Sequence, residues 1–319
     1  MVNARNKRLG EARSVIREIF EYGNARKREI GEENVFDFSI GNPGVPAPRE
    51  VNEEIVRLVK TVPSLKLHGY TSAAGAPEVR EAVADYIRTT FGVPMSAEGV
   101  YMTCGAAASL TITLGALCEE GDEFVIVTPC FPEYRVFIES AGGKVVEAAC
   151  RKDFHPDMDA LEKAVGVHTK GVIINSPNNP TGAVYSRTEL QAPGALLEKK
   201  SGERGAPVFL IADEPYRELT YGAEVPYPMA FYPNTVVCYS FSKSLSLAGE
   251  RIGYIAVSAV RGRARRIFRR VRRGQGAGFR VRACALPARR RNLPRKVGRR
   301  GGVPQEPRPS PARADRVRV

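Results

Sequence analysis

Short apolar runs alternate with amphipathic segments along most of this chain. The runs at 100–103, 123–128, 144–149, 171–175, 207–212, 235–239 and 254–257 are four to six residues long and rich in Val, Ile, Phe and Tyr. Runs of that length and composition predict buried strands. Between them the apolar positions recur at helical spacing. Val51, Ile55, Leu58 and Val59 mark a helix over 50–62, and Val79, Val83, Tyr86 and Ile87 mark one over 76–91. Further helices are predicted after 104, after 132, over 157–165 and over 186–200, the last interrupted by Pro193 and Gly194. Upstream, Val15, Ile16, Ile19 and Phe20 share one face of a predicted helix over 9–22, and residues 34–40 alternate like a strand. Strands alternating with helices predict an α/β fold. The expected architecture is a three-layer αβα sandwich, with a mostly parallel central sheet covered by helices on both faces.

In such a sheet ligands bind at the carboxyl ends of the strands. Those ends carry polar groups here. Asn179 follows one strand, Asp213 and Tyr216 another, and Ser240 and Lys243 a third. Arg251 lies eight residues beyond the lysine. Hydroxyls and an arginine beside an amine suggest a phosphate site next to a group that can bond a carbonyl, which is the requirement for pyridoxal phosphate held as a Schiff base. The small residues Gly105, Ala106 and Ala107 open a helix and can turn backbone N–H groups toward an anion. The Gly- and Pro-rich loop at 41–46 can approach a ligand closely. No Gly-x-Gly-x-x-Gly follows the first strand and there is no Walker loop, which weakens nucleotide readings.

Charge changes the picture only when divided by position. The chain has 319 residues and a formal net charge of +13. Residues 1–259 hold 27 basic and 33 acidic side chains; residues 260–319 hold 21 basic and 2 acidic ones. The body is therefore mildly acidic, and the basic excess belongs to the last sixty residues. Six cysteines are scattered without a Cys-x-x-Cys, and three histidines have no ligand spacing, so free thiols in a reducing compartment and no metal are expected. The first twenty residues lack the apolar core of a secretory signal, and no run reaches membrane-helix length. A cytoplasmic location without membrane association is expected.

The segments Asn178-Asn179-Pro180-Thr181-Gly182, Asp213-Glu214-Pro215-Tyr216, Ser240-Phe241-Ser242-Lys243 and Gly249-Glu250-Arg251-Ile252-Gly253-Tyr254, in this order and spacing, resemble the class I/II aminotransferases of the aspartate aminotransferase type. These are fold type I pyridoxal 5'-phosphate enzymes. The resemblance runs from about residue 9 to 258. It implies that Lys243 carries the cofactor and shuttles the proton between substrate Cα and cofactor C4′. Asp213 would pair with the pyridinium nitrogen, and Tyr216 and Asn179 with the ring 3′-oxygen. Ser240, Arg251 and the backbone of Gly105, Ala106 and Ala107 would hold the phosphate. Phe131 would stack on the ring, with Tyr134 a second candidate. Tyr70 would reach a partner's phosphate across a homodimer, and Gly41, with Asn179, would meet the substrate. The implied reaction is ping-pong transfer of an amino group between an α-amino acid and a 2-oxo acid, with turnover expected to be impaired in this chain by loss of the family's C-terminal domain. A carbon–sulfur β-lyase of the same fold is the alternative.

The same resemblance divides the chain into 1–44, the helix and strand segment of a small domain; 45–259, the cofactor-binding large domain; and 260–319, an Arg-rich tail. The family's C-terminal small domain, with its carboxylate-binding arginine, is not recognisable in the tail. A basic arm, a disordered end and a shifted reading frame compete there; the abrupt change, with one lysine among 21 basic residues, favours the shifted frame. A basic arm would bind nucleic acid non-specifically.

Overall fold

The computed structural model describes residues 15–258. The tail, and with it the basic-arm, disorder and frame-shift readings, lies outside the described residues, as does the first part of the predicted 9–22 helix.

Seven strands form one sheet in the order β1-β7-β6-β5-β4-β2-β3. They are β1 (Val100–Thr103), β2 (Glu123–Thr128), β3 (Lys144–Ala149), β4 (Thr169–Asn175), β5 (Phe209–Asp213), β6 (Thr235–Ser240) and β7 (Gly253–Val257). Strand β7 runs antiparallel to both its neighbours, and the other pairings are parallel. Strand residues alternate between two cores because successive side chains point to opposite faces. Val172, Ile174, Leu210, Ala212, Val237 and Ala256 face one core. Ile173, Ile211, Val236, Cys238 and Ile255 face the other. The first core is closed by α2 (Arg49–Thr61), α4 (Pro77–Phe91), α7 (Met158–Ala164) and α8 (Arg187–Arg204) through Val51, Val83, Ile87, Leu161 and Leu197. The second is closed by α5 (Ala106–Leu117) and α6 (Glu133–Ala141) through Leu110, Leu114, Tyr134 and Ile138. This is the three-layer αβα arrangement that the pattern predicts. No helix among the described residues is long and apolar enough to cross a membrane.

Three local expectations are corrected. Helix α1 spans Val15–Ile30, eight residues beyond the predicted end. Its second half is polar, and Ile19 is exposed, so apolar period was a poor guide to its length. The predicted strand over 34–40 does not form. Asp37 Oδ1 accepts hydrogen bonds from the Ser39 N–H at 2.9 Å and from its hydroxyl at 2.6 Å, and Lys27 Nζ pairs with Asp37 Oδ2 at 3.2 Å. Such local bonding offers the backbone an alternative to a ladder. Phe36 and Phe38 are left 83% and 92% exposed. Helix α8, in contrast, runs unbroken through Pro193. A complete capping box between Ser186 and Glu189 starts it. Both Pro193 and Gly194 are buried, and a Cβ at Gly194 would sit 3.1 Å from the Phe231 carbonyl. Close packing, not helix propensity, selects these two residues. The short helix α3 (Ser64–His68) was not anticipated from the sequence.

Candidate active site

Register brings the polar strand ends together. Asn175 lies opposite Asp213, and Asp213 opposite Cys238, so β4, β5 and β6 end side by side. Short helix α9 (Phe241–Ser244) starts directly after β6, with Ser240 as its N-cap. It presents half-buried Lys243 at this edge. The Lys243 amine donates to the carbonyl of Gly41, which joins the glycine-rich loop to the same site. Burial, and then the charge of Arg251, lower the Lys243 pKa. A lowered pKa enriches the neutral amine, the form that attacks a carbonyl.

Asp213, at the end of β5, is buried. The Tyr134 hydroxyl donates to its Oδ2 at 2.6 Å, and its Oδ1 is buried with no hydrogen-bond partner among the described residues. Burial pushes the Asp213 carboxyl up to about 7; the Tyr134 bond opposes this, and Glu214 adds to it. Tyr134 itself is held far above the usual phenol range by burial and by Asp213, so it keeps its proton and donates. Its ring meets Phe131 edge to face, at 5.7 Å and 81°. Tyr134 is thus committed to the carboxylate by its hydroxyl, which differs from the expectation of a second stacking ring. Half-buried Phe131 remains beside it at the mouth.

Tyr216 and Asn179 meet, with Asn179 Nδ2 donating to the Tyr216 hydroxyl at 3.2 Å. Burial and the nearby Asp213 raise the Tyr216 pKa, and the Asn179 bond lowers it. Asn175 was missed by sequence reading. Its Nδ2 donates to the Asp213 carbonyl at 2.8 Å and its Oδ1 accepts from the Asn179 N–H at 2.6 Å. It therefore ties two site segments to one strand end. An amide closing a buried apolar run was the available signal.

Gly105, Ser240 and Arg251 converge into a candidate anion cup. Gly105 has φ 93°, a conformation that favours glycine, and leads into α5. No side chain caps α5, so its first-turn N–H groups at Ala106 and Ala107 are available to an anion. A Cβ on Gly105 would lie 3.0 Å from Arg251 Nη2 and 3.5 Å from Ser240 Oγ, which shows how closely these groups converge. Arg251 is anchored to the Ala248 carbonyl at 3.0 Å and the Cys104 carbonyl at 3.3 Å. Tyr70 is 90% exposed.

Gly253 makes the cup possible. A Cβ there would lie 2.7 Å from Gly105 Cα and would collide with the Tyr239 carbonyl. Gly253→Ala should therefore displace the Gly105 turn. It should cost about 1–3 kcal/mol of stability, as overpacking usually does. It should also weaken phosphate binding, measured by denaturant unfolding and by inorganic phosphate titration. An unchanged midpoint with unchanged phosphate affinity would refute this.

The sequence profile of the family "aminotransferase class I and II" matches residues 33–288. The chain belongs to this family. Similar aminotransferases include the aspartate aminotransferase of Pyrococcus horikoshii, 32% identical over 247 residues, covering 76% of this chain and 59% of that protein. A probable aspartate aminotransferase of Methanocaldococcus jannaschii is 28% identical, covering 81% of this chain and 64% of that protein. The chain thus spans about three fifths of the length of these curated relatives. Among solved structures, an amino transferase from Eubacterium rectale superposes with a TM-score of 0.84 at 49% identity, covering 89% of this chain and 73% of that one. The aspartate aminotransferase of Thermotoga maritima superposes with a TM-score of 0.78 at 29% identity, covering 89% and 72%. The αβα sandwich is the fold type I large domain of these aminotransferases.

Members of this family use pyridoxal phosphate, and the site fits it. The unpartnered Asp213 Oδ1 is a buried acceptor, as a protonated ring nitrogen requires. The cup of Gly105, Ser240 and Arg251 suits a phosphate. The site also offers an amine of lowered pKa and the Tyr216–Asn179 pair.

Proposed function

We propose that the chain is a pyridoxal-phosphate-dependent aminotransferase that moves an amino group between an α-amino acid and a 2-oxo acid. The observation that carries this reading is the buried Asp213 carboxyl, with one oxygen held by Tyr134 and the other unpartnered. When bound, the cofactor supplies an electron sink for the bond broken at the substrate Cα. The side chains divide the remaining work. Asp213, fixed by Tyr134 and Asn175, holds a proton at the ring nitrogen. Tyr216 and Asn179 hold the ring oxygen, and Ser240, Arg251 and the start of α5 hold the phosphate. Phe131 covers the ring face. Lys243 anchors the cofactor and moves a proton to and from the substrate Cα. Gly41, already beside the Lys243 amine, lines the substrate side.

The assignment extends to assembly and place. Residues 45–259 form the cofactor-binding domain, and 1–44 belong to a smaller one that includes the exposed Phe36 and Phe38. The protein works as a homodimer in which Tyr70 reaches the partner's phosphate. Among the described residues, Cys104, Cys130, Cys150 and Cys238 are free thiols, which favours a reducing cytoplasm.

The test is reconstitution of the full chain with pyridoxal phosphate, followed by amination of a 2-oxo acid panel. Relatives named aspartate aminotransferases make aspartate the first amino donor to try. The expected results are a visible absorbance band and its bleaching by amino acids. Folded protein that gains no band, or gains a band that no amino acid alters, would refute the reading.

A further inference from the structure

Glu214 and Arg217 flank Tyr216 in the chain, yet both turn away from the site and are buried. The Arg217 Nε and Nη2 groups donate to Glu214 Oε2 and Oε1 at 2.5 and 2.7 Å. Nη1 donates to the Val225 carbonyl at 2.7 Å and Nη2 to the Pro226 carbonyl at 2.9 Å. The guanidinium lies 4.9 and 5.0 Å from the ring centres of Phe91 and Tyr227, which stack on each other at 4.3 Å. The Glu214 N–H donates to the Cys238 carbonyl, so the segment also stays fixed to β6.

A buried ion pair rarely adds net stability over apolar side chains of similar size, because both charges lose their hydration. Geometry is the better account of this one. Four directed hydrogen bonds close residues 214–226 into a loop of defined path. That path leaves Tyr216 as the residue turned toward Asn179.

We propose that the Glu214–Arg217 pair is a positioning device, which locks the turn that aims the Tyr216 hydroxyl at the cofactor's ring oxygen. Neither residue hydrogen-bonds a site residue; Glu214 reaches Asp213 through its charge, so Arg217→Lys, which leaves both charges in place, is the variant that isolates positioning, and the inference rests on the pyridoxal phosphate reading above. Arg217→Lys keeps the charge but loses the two-pronged fork. The double substitution Glu214→Met with Arg217→Met replaces the pair by apolar groups of similar length.

The full chain and these variants are loaded with pyridoxal phosphate, and the visible absorbance is titrated against pH, with Tyr216→Phe as the reference. Both variants are expected to move the titration midpoint in the direction of Tyr216→Phe by about half a pH unit or more, because loss of a hydrogen bond to one protonation state shifts the titration. The double variant is expected to unfold at nearly the same temperature as the unsubstituted chain. Where the double variant cannot be folded, Arg217→Lys alone decides. An unmoved midpoint in a loaded variant overturns the proposal, and a lowered unfolding temperature without a moved midpoint does the same. An unsubstituted chain that takes up no cofactor overturns the functional reading itself, and this inference with it.

Discussion

Lys243→Ala should abolish covalent capture of pyridoxal phosphate. In the unsubstituted chain, borohydride should fix the cofactor onto the peptide that contains Lys243; in the variant no lysine peptide should carry it. The argument begins with position. Lys243 is half-buried at the carboxyl edge of the sheet, on the short helix that follows β6, and within reach of the Arg251 charge. Its pKa is lowered by burial and by Arg251, so more of it is the free amine. Its present partner, the Gly41 carbonyl, is a neutral acceptor that gives way to a carbonyl ligand without stranding a charge. The other anchors should survive the substitution. Ser240, Arg251 and Asp213 would still hold the cofactor, now non-covalently. If the same lysine moves the proton at the substrate Cα, as proposed, amino transfer should fall by at least about 10²–10⁴-fold, the usual contribution of a positioned acid–base group. Mass spectrometry of the reduced protein reads the first effect, and stopped-flow absorbance the second. A label on another lysine in unsubstituted protein would refute the assignment.

Much of the fold was legible because burial on both faces leaves a plain signal. Strands β2, β4, β5 and β6 are short apolar runs with polar or turn residues after them, and the structure places each close to its predicted span. The candidate site residues stood out for the same reason: Asp213, Ser240 and Lys243 interrupt sequence that is otherwise apolar. What escaped was tertiary. The alternation at 34–40 looks like a strand until Asp37 bonds Ser39 and Lys27. Pro193 looks like a helix break until the capping box and the close contact of Gly194 with Phe231 are seen. Tyr134 and Phe131 are both aromatic and only three residues apart, so sequence alone could not tell which would cover a ring and which would hold Asp213. Contacts with distant residues decide such cases, and local pattern does not contain them.

Asp213 should have two separable effects, one on chemistry and one on stability. Asp213→Ala removes the carboxylate that, in the proposed function, would keep a proton on the ring nitrogen. Exchange of the substrate Cα proton should then slow by roughly 10²–10³-fold or more, the scale of deleting one charge-stabilising group from a buried site. Asp213→Glu should be milder, because the charge remains within reach of Tyr134. The second effect belongs to the cofactor-free chain. There the folded carboxyl titrates at about 7, above its ordinary value of 3.8, because it is buried. Between those two values the folded state holds a proton that the unfolded state has released. Stability from this group is therefore complete below pH 4 and is lost as pH rises toward and through 7. The loss is on the order of a few kcal/mol at most. Asp213→Asn has no charge to bury, so the cofactor-free variant should lack this loss. Urea midpoints of the two cofactor-free proteins, compared from pH 4 to 8, should diverge in favour of the asparagine. Bound cofactor should reverse the comparison, because a protonated ring nitrogen at Oδ1 gives the carboxylate its missing partner. Parallel pH profiles for the two proteins, with and without cofactor, would mean that Asp213 is charged and satisfied by some other group.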